Sequence, residues 1–243
     1  MDSAVAKAFG LLEAMAQAKG PCRLSALAGD LDLQKSTVHR VLAELINLGF
    51  VERDEAGLYR PTLRTWEIGT AVVADLPIKQ VASAALHQLH ARTGETVSLV
   101  VRSGDDALYL DKLISPRPVR FTTRVGSRVP LPLTAGGKAL LALAADGADV
   151  VRRVAERPEL RGKVDVDVVL GELARARERG YAMSSTRPGL VGIAAAVVDR
   201  GGEPVAALSV SAPSDRVPRA KRSEITESVL AVAVTLAESL GRV

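Results

Sequence analysis

The 243 residues are 47% hydrophobic and 25% charged, enough apolar material for more than one core and too little charge for a disordered chain. A single cysteine, Cys22, excludes an internal disulfide and is expected to fill a small core. No run approaches the roughly 20 unbroken apolar residues a membrane span needs. The start Met1-Asp2-Ser3-Ala4 lacks the basic and apolar pattern of a signal peptide, so a cytoplasmic protein with no membrane partner is expected.

Residues 4–18 predict a first helix, with Ser3 as its cap and Val5, Ala8, Leu11, Leu12 and Met15 facing inward. Residues 24–28 predict a short second helix and residues 29–33 a turn. The segment from Lys35 carries Val38, Val41, Leu42 and Leu45 at i, i+3, i+4 and i+7, so one face of a third helix is buried. Gly49 caps it. Residues 50–53 and 58–60, separated by Asp54-Glu55-Ala56-Gly57, predict a hairpin.

Helix, turn, helix and hairpin in this order form a winged helix-turn-helix, and the wet face of the third helix is then the face that reads double-stranded DNA. Lys35, Ser36, Thr37, His39 and Arg40 supply hydrogen-bonding and cationic groups there, and Arg53 lies on the wing. The net charge of +4 does not by itself support this reading. Residues 1–65 hold eight Lys or Arg and eight Asp or Glu, so binding must depend on placement and on pairing two copies.

Residues 62–76 predict a linker helix offering Leu63, Trp66, Ala71 and Val72 for packing, broken at Pro77, and residues 78–92 a further helix ending at Gly94. Strands are predicted over 96–103, 107–114, 193–199 and 204–211. Helices are predicted over 134–145, 167–179 and 219–240.

Six motifs in this order resemble the IclR family of bacterial transcriptional regulators over the whole chain. They are Lys35-Ser36-Thr37-Val38-His39-Arg40, Gly94-Glu95-Thr96-Val97, the run from Thr134 through Gly136-Gly137-Lys138 to Ala142, Arg179-Gly180-Tyr181-Ala182, Gly192-Ile193-Ala194-Ala195, and the run Ala206 to Ser211. The resemblance implies an α+β protein: an N-terminal winged helix-turn-helix (1–61), a linker helix (62–77) and a GAF-like α/β effector-binding domain (78–243). It implies a homodimer or homotetramer on palindromic operator DNA, commonly as a repressor, and a small-molecule effector such as a carboxylic or aromatic acid.

The family's effector pocket maps onto Phe121, Ala135, Gly136, Ser184, Leu190, Gly192, Ser209 and Ser211, with helix N-terminal amides at Ala135 and Gly136 suited to a carboxylate. Added bulk at Gly136 is expected to fill it. Relatives often carry acids after the Gly-Tyr pair and a cysteine where Gly192 stands; here residues 184–189 hold no acid, and Arg187 is the one charge. The pocket is therefore expected to admit a bulkier, more apolar ligand, or to meet an acid through Arg187, or else the protein is an effector-independent DNA-binding regulator whose second domain serves oligomerisation only.

Enzymatic readings find no residues to carry them. His87 and His90 are spaced i, i+3, yet no further ligand completes a metal site. Gly136-Gly137-Lys138 is followed by Ala139 where a phosphate loop needs Ser or Thr. No catalytic set and no cofactor are expected.

Overall fold

The structure, a computed structural model, describes residues 3–120, 123–185 and 188–241. It divides into two compact units, Met1–Asp75 and Leu76–Val243.

In the first unit, α1 (Ala4–Gln17), α2 (Leu24–Asp30) and α3 (Lys35–Asn47) precede the hairpin β1 (Val51–Arg53) and β2 (Tyr59–Pro61), and α4 (Leu63–Ala74) ends it. Ser3 caps α1 by accepting a hydrogen bond from the amide of Ala6 at 3.0 Å. Leu11, Met15, Leu27, Val38, Leu42 and Val51 close a common core. Val5 departs from its expected place, being 66% exposed. At 100° per residue it lies about 90° from the stripe centred on Ala8, Leu11 and Met15, on the side of the equally bare Phe9. Cys22 forms a bridge with Tyr59, which fastens the wing's inner strand to the α1–α2 connection. Burial raises its thiol pKa.

The second unit is a six-stranded antiparallel sheet. It comprises α5 (Pro77–Thr93), β3 (Thr96–Ser103), β4 (Asp106–Leu113), β5 (Arg128–Pro130), α6 (Ala135–Leu143), α7 (Gly147–Ala155), α8 (Val166–Arg179), β6 (Ala182–Ser184), β7 (Leu190–Val198), β8 (Pro204–Pro213) and α9 (Arg219–Leu240). Its strand order is β5-β4-β3-β8-β7-β6. Pro77 opens α5, where its missing N–H is harmless, and Gly94 closes it in the left-handed conformation at φ 65°. Helices α6, α7 and α8 cover one face, burying Val100, Ala207 and Ala194 beneath Leu140, Val151 and Leu173. Helices α5 and α9 cover the other, packing on each other and on β3, β7 and β8. Short edge strands β5 and β6 and helix α7 have no counterpart among the sequence expectations.

Helix α7 is tied to the β3–β4 turn by ion pairs. Arg102 grips Asp146 through both carboxylate oxygens at 2.6 Å, Arg153 takes Asp105 at 2.7 Å, and Arg157 takes Asp106 at 2.8 Å. The hydrogen bond from Arg153 holds the Asp105 carboxyl below its usual range, and that from Arg102 does the same for Asp146. A carboxyl whose folded pKa is depressed stabilises the fold above its unfolded value, about 4, and that stabilisation is lost as pH falls through the lowered folded value. The melting temperature of the second unit should therefore drop most steeply below about pH 4. The double variant Asp105→Asn/Asp146→Asn should show a flatter profile there; an unchanged slope would mean that these pairs do not govern acid stability.

Candidate DNA-reading helix and effector cavity

Helix α3 presents the face its periodicity predicts. Val38, Val41, Leu42 and Leu45 are buried, while Lys35, Ser36, His39 and Arg40 are exposed and Thr37 is half-buried. None of these five polar side chains has a hydrogen-bond or ionic partner among the described residues. The cations around them are engaged. Arg60 pairs with Glu52 across the wing, Arg64 lies over the Phe50 ring at 5.2 Å, and Arg53 lies over Tyr59 at 5.5 Å. Arg53 is thus exposed on the wing as expected, but its guanidinium already rests on an aromatic face. Among the described residues, Lys35 and Arg40 are the unpaired cations of α3.

The second site is a cavity of about 180 Å³ between the sheet and the start of α6. It gathers Ala135, Ser184, Leu190, Gly192, Ser209 and Ser211, six of the eight positions expected there. Phe121 and Arg187 lie outside the described residues. Gly136 does not line the cavity: a Cβ added to it would meet Val100 of β3 at 3.2 Å. Bulk at Gly136 would therefore press α6 off the sheet instead of filling the pocket, contrary to the expectation from sequence.

Gly192 also has a packing reason to be small. Its added Cβ would stand 3.1 Å from the Ala135 methyl, so the close approach of α6 takes up room that the missing side chain leaves.

The remaining wall is Thr96, Ser98, Tyr109, Thr123, Val129, Leu133 and Thr134. Thr96 and Ser98 were legible in principle, because Thr96, Val97, Ser98 and Leu99 alternate polar and apolar as Ser209 and Ser211 do on β8. The register sets Ser98 beside Ser209, and Thr96 beside Ser211, which in turn faces Gly192. Several wall hydroxyls serve the scaffold. Thr134 caps α6 by accepting from Gly137 N at 2.9 Å, Thr96 accepts from Ser115 N at 3.1 Å, and Ser184 donates to the Leu133 carbonyl at 3.2 Å. No Asp, Glu, Lys, Arg or His lines the cavity among the described residues. Capping by Thr134 leaves the amides of Ala135 and Gly136 at the positive end of the α6 dipole without an intrahelical acceptor.

Groups that sequence reading weighed for other chemistry have structural duties. Lys138 is buried and paired with Glu172 of α8 at 2.6 Å. His87 bonds through Nδ1 to the Ser83 carbonyl and His90 to that of Glu95, each at 2.8 Å. Among the described residues no group of three His, Cys, Asp or Glu could hold a metal, and no helix is long and apolar enough to cross a membrane.

The IclR helix-turn-helix domain matches residues 4–55, and the bacterial transcriptional regulator IclR C-terminal domain matches residues 70–238. The chain belongs to the IclR family of transcriptional regulators. It is 31% identical to the HTH-type transcriptional repressor AllR of Salmonella typhi over 98% of this chain and 90% of the relative. It is 33% identical to the probable transcriptional regulator SauR of Cupriavidus necator, over 89% and 88%. Among solved structures, the Thermotoga maritima IclR superposes with a TM-score of 0.79 at 27% identity, over 98% of both chains. An IclR homolog from Microbacterium hydrocarbonoxydans, complexed with 4-hydroxybenzoate, reaches 0.84 at 25% identity, over 99% of this chain and 100% of that one. The family comprises regulators of transcription. Its mixed α+β architecture, an N-terminal helix-turn-helix domain followed in the chain by an α/β domain, is the one described above.

Proposed function

We propose that this IclR-family protein binds two-fold symmetric operator DNA as a dimer, or as a pair of dimers, and that a small carboxylic acid in the α6 cavity sets its affinity for that DNA. The observation that carries the DNA half is the row of unengaged polar side chains on α3, above all Arg40. A recognition helix in the major groove needs such groups free, and one bidentate base contact contributes about 1–3 kcal/mol of discrimination. The acid half is supported by the cavity's helix amides and hydroxyls and by the 4-hydroxybenzoate seen in the Microbacterium hydrocarbonoxydans homolog.

Dimerisation is argued from charge and from apolar surface. A balanced N-terminal unit has few phosphate contacts to spare, and two copies double them. On α4, Leu63 and Trp66 are 76% and 64% exposed, and Ile68 and Val72 are bare as well. At 100° per residue Leu63 and Trp66 fall on one face of α4 and Ile68 and Val72 on the opposite one, and apolar side chains left bare on both faces mark a partner surface. Ligand control then requires that the acid bind the DNA-competent and incompetent states with different affinity.

The test is a gel-shift titration on the operator. Arg40→Ala should weaken binding by about 1–3 kcal/mol, roughly five- to 150-fold, with an unchanged melting temperature. Unchanged affinity of the folded variant would remove Arg40 from the interface. A parallel thermal-shift screen of small acids separates ligand control from an effector-independent regulator, since a ligand of the folded state must raise the melting temperature.

A further inference from the structure

We propose that Ser98 and Ser209 form a selectivity pair that makes the α6 cavity prefer a carboxylic acid bearing a second oxygen, a hydroxyl or oxo group, over its unsubstituted analogue. The inference rests on the reading of this cavity as the effector site and goes further by naming the ligand class and a residue, Ser98, that chooses it.

The two serines are 4% and 5% exposed, stand opposite each other on β3 and β8, and both line the cavity. Neither hydroxyl has a hydrogen-bond partner among the described residues. No fully enclosed side-chain nitrogen or oxygen among those residues is left unpaired, so the two oxygens must open onto the cavity itself. A hydroxyl is one donor and two acceptor sites, and the remaining accessible surface of these residues is small. Whatever fills the cavity therefore decides whether the pair is satisfied.

Directly opposed residues on neighbouring antiparallel strands hold their Cβ atoms about 4.5–5.5 Å apart, close enough for both hydroxyls to reach one oxygen. A ligand hydroxyl can donate to one serine and accept from the other, and an oxo group can accept from both. An unsubstituted methyl or ring edge in the same place shuts out water and leaves the pair at most the one hydrogen bond the two hydroxyls can make to each other, with one donor and the remaining acceptor sites empty. That asymmetry is what lets a polar site reject an analogue lacking the oxygen more strongly than an apolar pocket rejects an extra one.

The ligand's charge follows from the rest of the wall. With no charged side chain lining the cavity among the described residues, a cation finds no counter-charge, and a single carboxylate finds the amide end of α6.

The experiment is isothermal titration calorimetry of the full-length protein with two matched pairs, lactate against propionate and 4-hydroxybenzoate against benzoate, one short and one long. In the pair that fits, the hydroxylated acid should bind about ten- to a hundredfold more tightly. Ser98→Ala should remove most of that difference by weakening the hydroxylated acid alone, and Ser209→Ala should do the same, with the two substitutions non-additive because they share one ligand oxygen. Equal affinity within both pairs, or weakening of both members alike by Ser98→Ala, overturns the selectivity pair while leaving the effector reading in place. The comparison within pairs on the wild-type protein needs no variant to fold. Absence of heat from all four acids at millimolar concentration overturns the effector reading together with the inference built on it.

Discussion

Gly137→Ala is expected to destabilise the second unit by about 3 kcal/mol or more, although alanine is the better helix former by about 1 kcal/mol in an ordinary helical position. The reason is a backbone approach. A Cβ at Gly137 would sit 2.1 Å from the carbonyl oxygen of Leu131 and 2.6 Å from its Cα, and neither atom can rotate away. Leu131 is itself fully buried at the head of the 3-10 turn Leu131–Leu133 that leads into α6. The methyl therefore has to push the turn and the helix apart, and Ala135, which lines the cavity, moves with them. Gly171 of α8 is the control, because its added Cβ would meet only the flexible end of Arg175 at 3.5 Å. Gly171→Ala should stabilise by about 0.5–1 kcal/mol. Urea denaturation of both variants decides the matter, and a Gly137→Ala protein as stable as wild type would show that the turn yields easily.

That glycine shows where sequence reading stops. The run Thr134 to Ala142 marked an important helix start, but the sequence does not tell which glycine faces a strand, a carbonyl or a ligand. The structure assigns Gly136 to Val100 and Gly137 to Leu131, and gives the cavity to Ala135. Helix α3 was legible because its apolar stripe has the period of a helix and the left-handed Gly49 follows its end. Helix α7 was not. Val150, Val151 and Val154 are buried, yet β-branched residues set among Gly and Asp carry little helical propensity, and packing on α6 and α8 supplies what propensity lacks. Strands β5 and β6 are three residues each and exist because longer neighbours pair with them, as Ala182 does with Ala194. Val5 looked inward on spacing alone, and only the placement of the stripe on Leu11 and Met15 shows it to be bare. Six of the thirteen wall positions were legible by likeness to the family, and Ser98 by the alternation of polar and apolar residues on β3.

Glu95→Gln is the second substitution expected to be costly, and its cost tests how the cavity's rim is held. The Glu95 side chain is only 3% exposed, and its carboxylate receives Arg216 through Nε at 2.9 Å and Nη2 at 2.7 Å while also pairing with Arg117. Arg216 reaches onward through Nη1 to the carbonyl of Val119 at 2.6 Å. Ser115 donates to the carbonyl of Gly94 at 2.8 Å. One buried anion thus gathers the α5–β3 junction, the segment after β4 that leads to Thr123 on the cavity wall, and the turn before α9. Glutamine keeps the shape but places an NH2 against a guanidinium and removes the negative charge that Arg216 and Arg117 share. Breaking a buried pair in this way is worth about 2–4 kcal/mol, less than a fully enclosed pair because Arg216 and Arg117 can turn partly toward water. The order of effects follows from exposure. Arg117 is 44% exposed, so Arg117→Ala should cost about 1 kcal/mol or less, whereas Arg216→Ala strands half of a desolvated carboxylate and should approach the Glu95→Gln value. Urea titrations of the three variants provide the ranking. If Arg117→Ala proves as damaging as Glu95→Gln, the short contact to Arg117 rather than the bidentate grip of Arg216 is what fixes this corner, and Thr123 would then be positioned from the β4 side alone.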